Sequence, residues 1–242
     1  MKKYIKIIGF CLALITVSCG DKEECANDTC GGGGQKPKVD LVILIDTSGS
    51  MATSASIVSS EAASAISDAL AICDSDLRVT YLGLEGTWSG TNFTQTSRSY
   101  LQTLHGSSVI LAADRAPSGY KSEQGANGIE DLSKYFDWRP EACRAIFYIS
   151  DEELDGSAPR GDYANENTEV ASAITEAKSN NVAVFANFLT YQALGASILT
   201  NYTDLTTQTG GILFTTPTVN AGYYSNKKVF KDIVCNACNA CK

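Results

Sequence analysis

One histidine among 242 residues closes off much catalytic chemistry. A zinc centre built on several imidazoles is excluded. A Ser–His or Cys–His nucleophilic system would need His105. That residue sits in "TLHGSS" with no nucleophile motif around it, and it reads as a surface-loop residue. Basic residues are also scarce: Lys and Arg number 19 against 27 Asp and Glu, for a net charge of −8. No basic patch is available to displace counterions from phosphates, which argues against a nucleic-acid partner. Solubility accounts for most of the acidity without a special function. The N-terminal apolar run, residues 7–17, has 11 residues and is too short to span a bilayer. No internal repeat is present.

That short run does fit a signal sequence. Lys2, Lys3 and Lys6 form a positive region before it. "TVSCG" follows, and it resembles the lipobox of bacterial lipoproteins, in which a small residue precedes a cysteine that is lipidated and becomes the new N-terminus. The match departs at Thr16, where that family usually has Leu, and plain secretory cleavage is the alternative. The expectation is a signal peptide over residues 1–18 and a lipidated Cys19, leaving 224 residues with 16 basic against 27 acidic side chains, or −11. Several acyl chains anchor firmly, since each buried CH2 contributes roughly 0.8 kcal/mol. Residues 19–38 read as a tether, with four consecutive glycines and a stiffer Lys-Pro-Lys end. The acidic start of the tether resembles the export signal of some surface lipoproteins. The implied place is the bacterial cell envelope, lipid-anchored at the outer membrane, with the cell surface as a further option.

The chain as a whole is 44% hydrophobic and suits one domain with a real core. Residues 41–45 are continuously apolar, as in a strand covered on both faces. A helix is expected over about 54–73, with Val58, Ala62, Ile66, Ala69 and Cys73 on one stripe. Residues 77–84 read as a strand, and "TNFTQTSRSYLQTL" as a short edge strand with a loop. A helix follows over 125–136, then a strand over 145–150. Thr168 is a candidate cap for a helix ending near Ser179 at Asn180 and Asn181. A strand over 182–188, a short helix from about 193, a strand over 212–214 and a closing helix over 226–235 complete the pattern. Alternating β and α elements predict an α/β fold: a doubly wound, mainly parallel sheet with helices on both faces. The domain is expected over 39–234, with a cysteine-rich tail over 235–242.

In such sheets, ligands bind beyond the carboxyl ends of the strands. Asp46 sits at that end of the first strand, and Asp151 sits in the same place after "AIFYIS". If those strands are neighbours, both carboxylates reach one crevice. Ser48 and Ser50 alternate in the loop after Asp46, so their hydroxyls can point the same way. Two carboxylates and two hydroxyls are hard oxygen ligands, suited to one Mg2+, Mn2+ or Ca2+ rather than zinc.

"DTSGS" resembles the D-x-S-x-S motif of von Willebrand factor A-type (vWA) domains, placed as there between a buried first strand and the first helix. The resemblance covers roughly residues 39–234. "TGGILF" is similar to that family's last strand. The resemblance implies a Rossmann-like fold and a metal-ion-dependent adhesion site, whose ion keeps one position for an acidic side chain of a protein partner. It also implies one more ligand from the loop before the third helix, often a Thr. Here that loop has no Thr, and Glu123 in "EQGANGI" is the candidate, with Ser122 as alternate. A bound glutamate would weaken the pull of the ion on an outside carboxylate, where a neutral hydroxyl would not. Three loops are expected to rim the site, bearing Trp88, Tyr120 and the acidic run Glu152, Glu153 and Asp155, which would repel a misplaced acidic partner. The other reading of Trp88 is that it packs its own loop.

Enzyme readings fare poorly. An aspartic protease needs glycine directly after the Thr and a second copy to share the proton. A D-x-D phosphoryl-transfer site would need an acid at Ser48. A binding module, not an enzyme, is the expectation; a vWA-like scaffold without a metal-dependent ligand is the alternative. Seven cysteines follow Cys19 in an exported chain that should oxidise them. Bridges from Cys25 or Cys30 to the tail cysteines Cys235, Cys238 and Cys241 are expected, with a zinc site there as a lesser option. Cys73 and Cys143 read as free buried thiols or as a pair.

Overall fold

The computed structural model describes residues 36–114, 121–155, 163–190 and 196–239. The expected signal peptide, Cys19, most of the tether and Tyr120 lie outside them.

Five strands form one all-parallel sheet: β1 (Lys38–Ile45), β2 (Asp76–Gly83), β3 (Cys143–Ser150), β4 (Val182–Leu189) and β5 (Leu213–Thr216). Their order is β2-β1-β3-β4-β5. The α/β doubly wound arrangement read from the sequence is therefore the observed one, in keeping with a Rossmann-like, vWA-like fold. Side chains alternate along each central strand, so one sheet makes two cores. Leu41, Ile43 and Ile45 face one side with Phe147 and Phe185. Val42 and Leu44 face the other with Ile146, Tyr148 and Val184. Burial on both faces is why β1, β3 and β4 read as unbroken apolar runs.

Helix α1 (Ala52–Leu70) covers the first face together with α6 (Tyr223–Asn226) and α7 (Val229–Asn239). Its predicted stripe from Val58 to Cys73 is buried. Helices α2 (Ser97–His105), α3 (Gly125–Tyr135), α4 (Tyr163–Ser179) and α5 (Ala196–Gln208) lie on the second. Asn181 ends α4 with φ of 54°, a left-handed conformation that asparagine tolerates.

Several local readings are corrected. The segment read as an edge strand contains α2. The Thr96 hydroxyl accepts from the Ser99 N–H at 3.0 Å, and the Ser99 hydroxyl accepts from the Thr96 N–H at 3.2 Å. This reciprocal capping box starts a helix inside the segment expected to be an edge strand with a loop. His105 is exposed at the end of α2. Thr168 does not cap α4; it lies inside the helix and its hydroxyl donates to Ala164 O at 2.9 Å. The closing helix is α7, which starts later than expected and runs through Asn239, so Cys235 is helical.

The pairing of Cys235 also differs from expectation, while Cys25, Cys30 and Cys241 lie outside the described residues. Cys73, after α1, is bonded to Cys235 of α7, with Cα atoms 5.6 Å apart. Helix α7 packs on the face that α1 covers, which brings together two cysteines 162 positions apart. The first tail cysteine thus closes the domain and does not tie down the tether. Cys143 is also disulfide-bonded, so neither Cys73 nor Cys143 is a free thiol.

Candidate metal centre

The strand order reverses between β1 and β3. Chain leaves β1 for one edge of the sheet and β3 for the other, and a crevice opens at their carboxyl ends. Asp46 follows β1 directly, and Asp151 follows β3 directly. The register pairs Ile45 with Ile149, so the two aspartates leave neighbouring strands at the same edge.

The four residues expected to gather there do so. Asp46 is fully buried, and its backbone N–H donates to Ile149 O at 3.0 Å. Its Oδ1 accepts from the Ser48 N–H at 2.6 Å. The Ser48 and Ser50 hydroxyls lie 3.0 Å apart, and the Ser50 hydroxyl donates to Asp151 Oδ1 at 3.2 Å. The carboxylates are buried while Gly49 and Ser50 are exposed. A Cβ built on Gly49 would meet nothing within 4 Å. The arrangement has an acidic floor and a hydroxyl lip open to solvent.

Ser150 belongs to the same cluster and was not foreseen. It is buried, donates its hydroxyl to Asp46 Oδ2 at 2.7 Å, and accepts from the Glu152 N–H at 3.0 Å. The signal for it was a polar residue closing the apolar run "AIFYIS".

The donor set fits a hard cation, and a second aspartate on the same strand shows why. Asp40, near the start of β1, is also fully buried. It accepts from Arg78 Nε and Nη2 at 3.1 and 2.8 Å, and from Arg139 Nε and N at 2.7 Å each. Two guanidinium groups offset its charge. Among the described residues, the hydrogen-bond donors to the Asp46 carboxylate are neutral, from Ser48 and Ser150. Burial therefore pushes the Asp46 carboxyl up to about 7, and the neighbouring Asp151 adds to the rise while the Ser48 and Ser150 bonds oppose it. A metal ion would stabilise a buried carboxylate beside another in its ionised form.

Glu123 is buried in a short 3-10 turn, Lys121–Glu123. That turn reaches the site through its backbone: the Thr47 N–H donates to Ser122 O at 3.0 Å. Among the described residues, no three Asp, Glu, His or Cys side chains gather as a metal-holding group. The hydrogen-bonded donor set consists of Asp46, Asp151 and the serine hydroxyls, and Glu123 is buried in the turn beside it.

The rim differs from expectation. Trp88 is half-buried and packs against the core on the α1 face, which favours its packing role. Glu152, Glu153 and Asp155 are buried and do not form an acidic fence. Their loop turns inward: the Ala126 N–H donates to Leu154 O at 2.7 Å, and the Leu154 N–H donates to Glu166 Oε1 at 3.1 Å. The Tyr202 hydroxyl donates to Glu152 O at 2.9 Å.

No protein-family model matches the chain. No curated protein matches it either. Among solved structures, it is similar to the PilB minor pilin from Streptococcus sanguinis, with 12% identity, 84% of this chain and 64% of that one covered, and a TM-score of 0.49. It is also similar to proximal thread matrix protein 1 from the mussel byssus, a structure with a zinc-occupied MIDAS motif, with 12% identity, 89% and 47% covered, and a TM-score of 0.42. The chain spans less than two thirds of either protein. At these values neither likeness bears on the chemistry of the site.

Proposed function

We propose that this chain is a lipid-anchored protein of the bacterial cell envelope whose vWA-like domain binds a protein partner through one divalent ion. It is a binding module and not an enzyme. The observation that carries this reading is the linked set Asp46, Ser48, Ser50 and Asp151 at the switch point of the sheet, with buried carboxylates below exposed hydroxyls. Asp46 and Asp151 would hold the ion, with Ser48 and Ser50 as neutral ligands. Mg2+ suits that set, with Mn2+ or Ca2+ as substitutes. Once bound, the ion supplies a Lewis-acidic position for a carboxylate offered by the partner. The open space above Gly49 gives that carboxylate a route in. The N-terminal resemblance to a lipobox supports anchoring through Cys19. The outer membrane, and its outer surface, is the proposed place.

A specific observation favours the scaffold alternative. The serines and aspartates already bond to one another, which lowers the gain from adding an ion. Calorimetric titration of Mg2+ or Mn2+ into wild-type protein and Asp46→Ala, with circular dichroism on both, decides between the two. Binding that disappears with Asp46 supports the adhesion-site reading. Equal behaviour of the two folded proteins leaves the scaffold.

A further inference from the structure

We infer that Ser150 is a positioning residue for the metal centre: its one hydroxyl sets the placement of both Asp46 and Asp151. The inference rests on the metal-site reading above and deepens it. Three facts carry it. The Asp46 carboxylate has two oxygens, and Ser150 donates to Oδ2 while the Ser48 N–H donates to Oδ1. The two bonds together fix the rotation of the carboxylate. The same Ser150 hydroxyl accepts from the Glu152 N–H at 3.0 Å, so it holds the backbone on the far side of Asp151. Asp151 is thereby clamped between the residue that carries the hydroxyl and the residue that bonds to it.

The placement follows from the register. Ile45 lies opposite Ile149, so Asp46 and Ser150 sit side by side where the two strands end. Ser150 has no exposure and cannot touch a partner, and as the residue bonded to Asp46 it acts through that ligand. Partners of this kind, which orient a ligand without binding the metal, typically control affinity by 10- to 100-fold.

The test uses a shape-matched pair. Ser150→Thr keeps the hydroxyl, and Ser150→Val replaces it with a methyl group of the same outline. Both add the same bulk, and both suit the end of a strand. Full-length wild type, both variants and Ser150→Ala are titrated calorimetrically with Mn2+, and urea midpoints are recorded alongside. The expected result is near wild-type affinity for Ser150→Thr, and affinity roughly 10- to 100-fold weaker for Ser150→Val and Ser150→Ala. A purely structural role lowers the urea midpoints but leaves the affinity of the folded protein unchanged. Equal Mn2+ affinity in Ser150→Thr and Ser150→Val, with wild type binding, overturns the assignment of Ser150 alone. Wild-type protein that binds no ion overturns the metal-site reading and this inference together.

Discussion

The Ser50 hydroxyl donates to Asp151 Oδ1 at 3.2 Å although 101 positions separate them in the chain. The loop after β1 and the loop after β3 therefore meet through a side chain and not through backbone pairing alone. Ser48 completes the link, 3.0 Å from Ser50 and bonded through its N–H to Asp46. Neutral hydroxyls contribute less to a cation than carboxylates do. Ser48→Ala and Ser50→Ala are each expected to weaken Mg2+ or Mn2+ binding, where Asp46→Ala removes it. Calorimetric titration of the three variants checks the ranking, and a serine variant as damaging as Asp46→Ala contradicts it.

Asp46 makes the site sensitive to pH. Its carboxyl sits near 7 in the fold against an ordinary value of 3.8. Between those values, the folded protein holds a proton that the unfolded chain has released. Its contribution to stability is fully present below about 3.8, falls as pH rises, and is gone above about 7. The total is about 4 kcal/mol, because each pKa unit corresponds to about 1.4 kcal/mol. In chelator-treated protein, the stability of wild type relative to Asp46→Asn should therefore fall between pH 5 and pH 8. Metal competes with the same proton, so affinity should rise over that interval. Urea titrations of both proteins at the two pH values provide the check; a difference that does not change with pH refutes the assignment.

Much of this was legible in the sequence, and the misses have physical causes. β1, β3 and β4 are buried on both faces, and that leaves unbroken apolar runs. Asp46 and Asp151 stand out because each ends such a run. Helix α2 was not legible because its start rests on a bond between Thr96 and Ser99. The burial of Glu152, Glu153 and Asp155 was not legible because loop direction depends on α3, α4 and α5, which supply Ala126, Glu166 and Tyr202. Ser150 could be seen as an oddity but not assigned, since its partner depends on the strand register.

The Cys73–Cys235 bond joins the end of α1 to α7 across 162 positions. Long loops gain most from closure in the chain-entropy account. Cys235→Ser is expected to destabilise the domain by about 2–5 kcal/mol. Urea unfolding measures the loss, and non-reducing peptide mapping of wild type should recover the Cys73–Cys235 peptide pair. Recovery of Cys235 bound to Cys25 or Cys30 instead would contradict the structure.

Anchoring is tested separately from folding. The motivating feature is Cys19 after the apolar run 7–17. Cys19→Ala should release the protein from membranes or leave its precursor uncleaved. Fractionation with immunoblotting reads both effects, and a variant that fractionates and migrates like wild type rejects the lipid anchor.

The two buried aspartates of the β1 region give the sharpest contrast. Asp40 is bonded to Arg78 and Arg139, whose side chains keep 30% and 25% exposure. Removing it leaves two guanidinium groups facing each other and the Arg139 N–H without its partner. Breaking such a pair costs about 3 kcal/mol, the low end of the usual range because both arginines keep contact with solvent. Asp46 faces neutral donors and the like charge of Asp151, so its removal relieves repulsion and costs the fold little at neutral pH. Asp40→Ala should thus lower the urea midpoint while leaving metal affinity in the folded protein unchanged. Asp46→Ala should do the reverse. One set of urea melts and Mn2+ titrations on the two variants reads both effects. A double dissociation would place stability at one end of the strand and binding at the other. Loss of metal affinity in folded Asp40→Ala, or a large loss of stability in Asp46→Ala, would break that division.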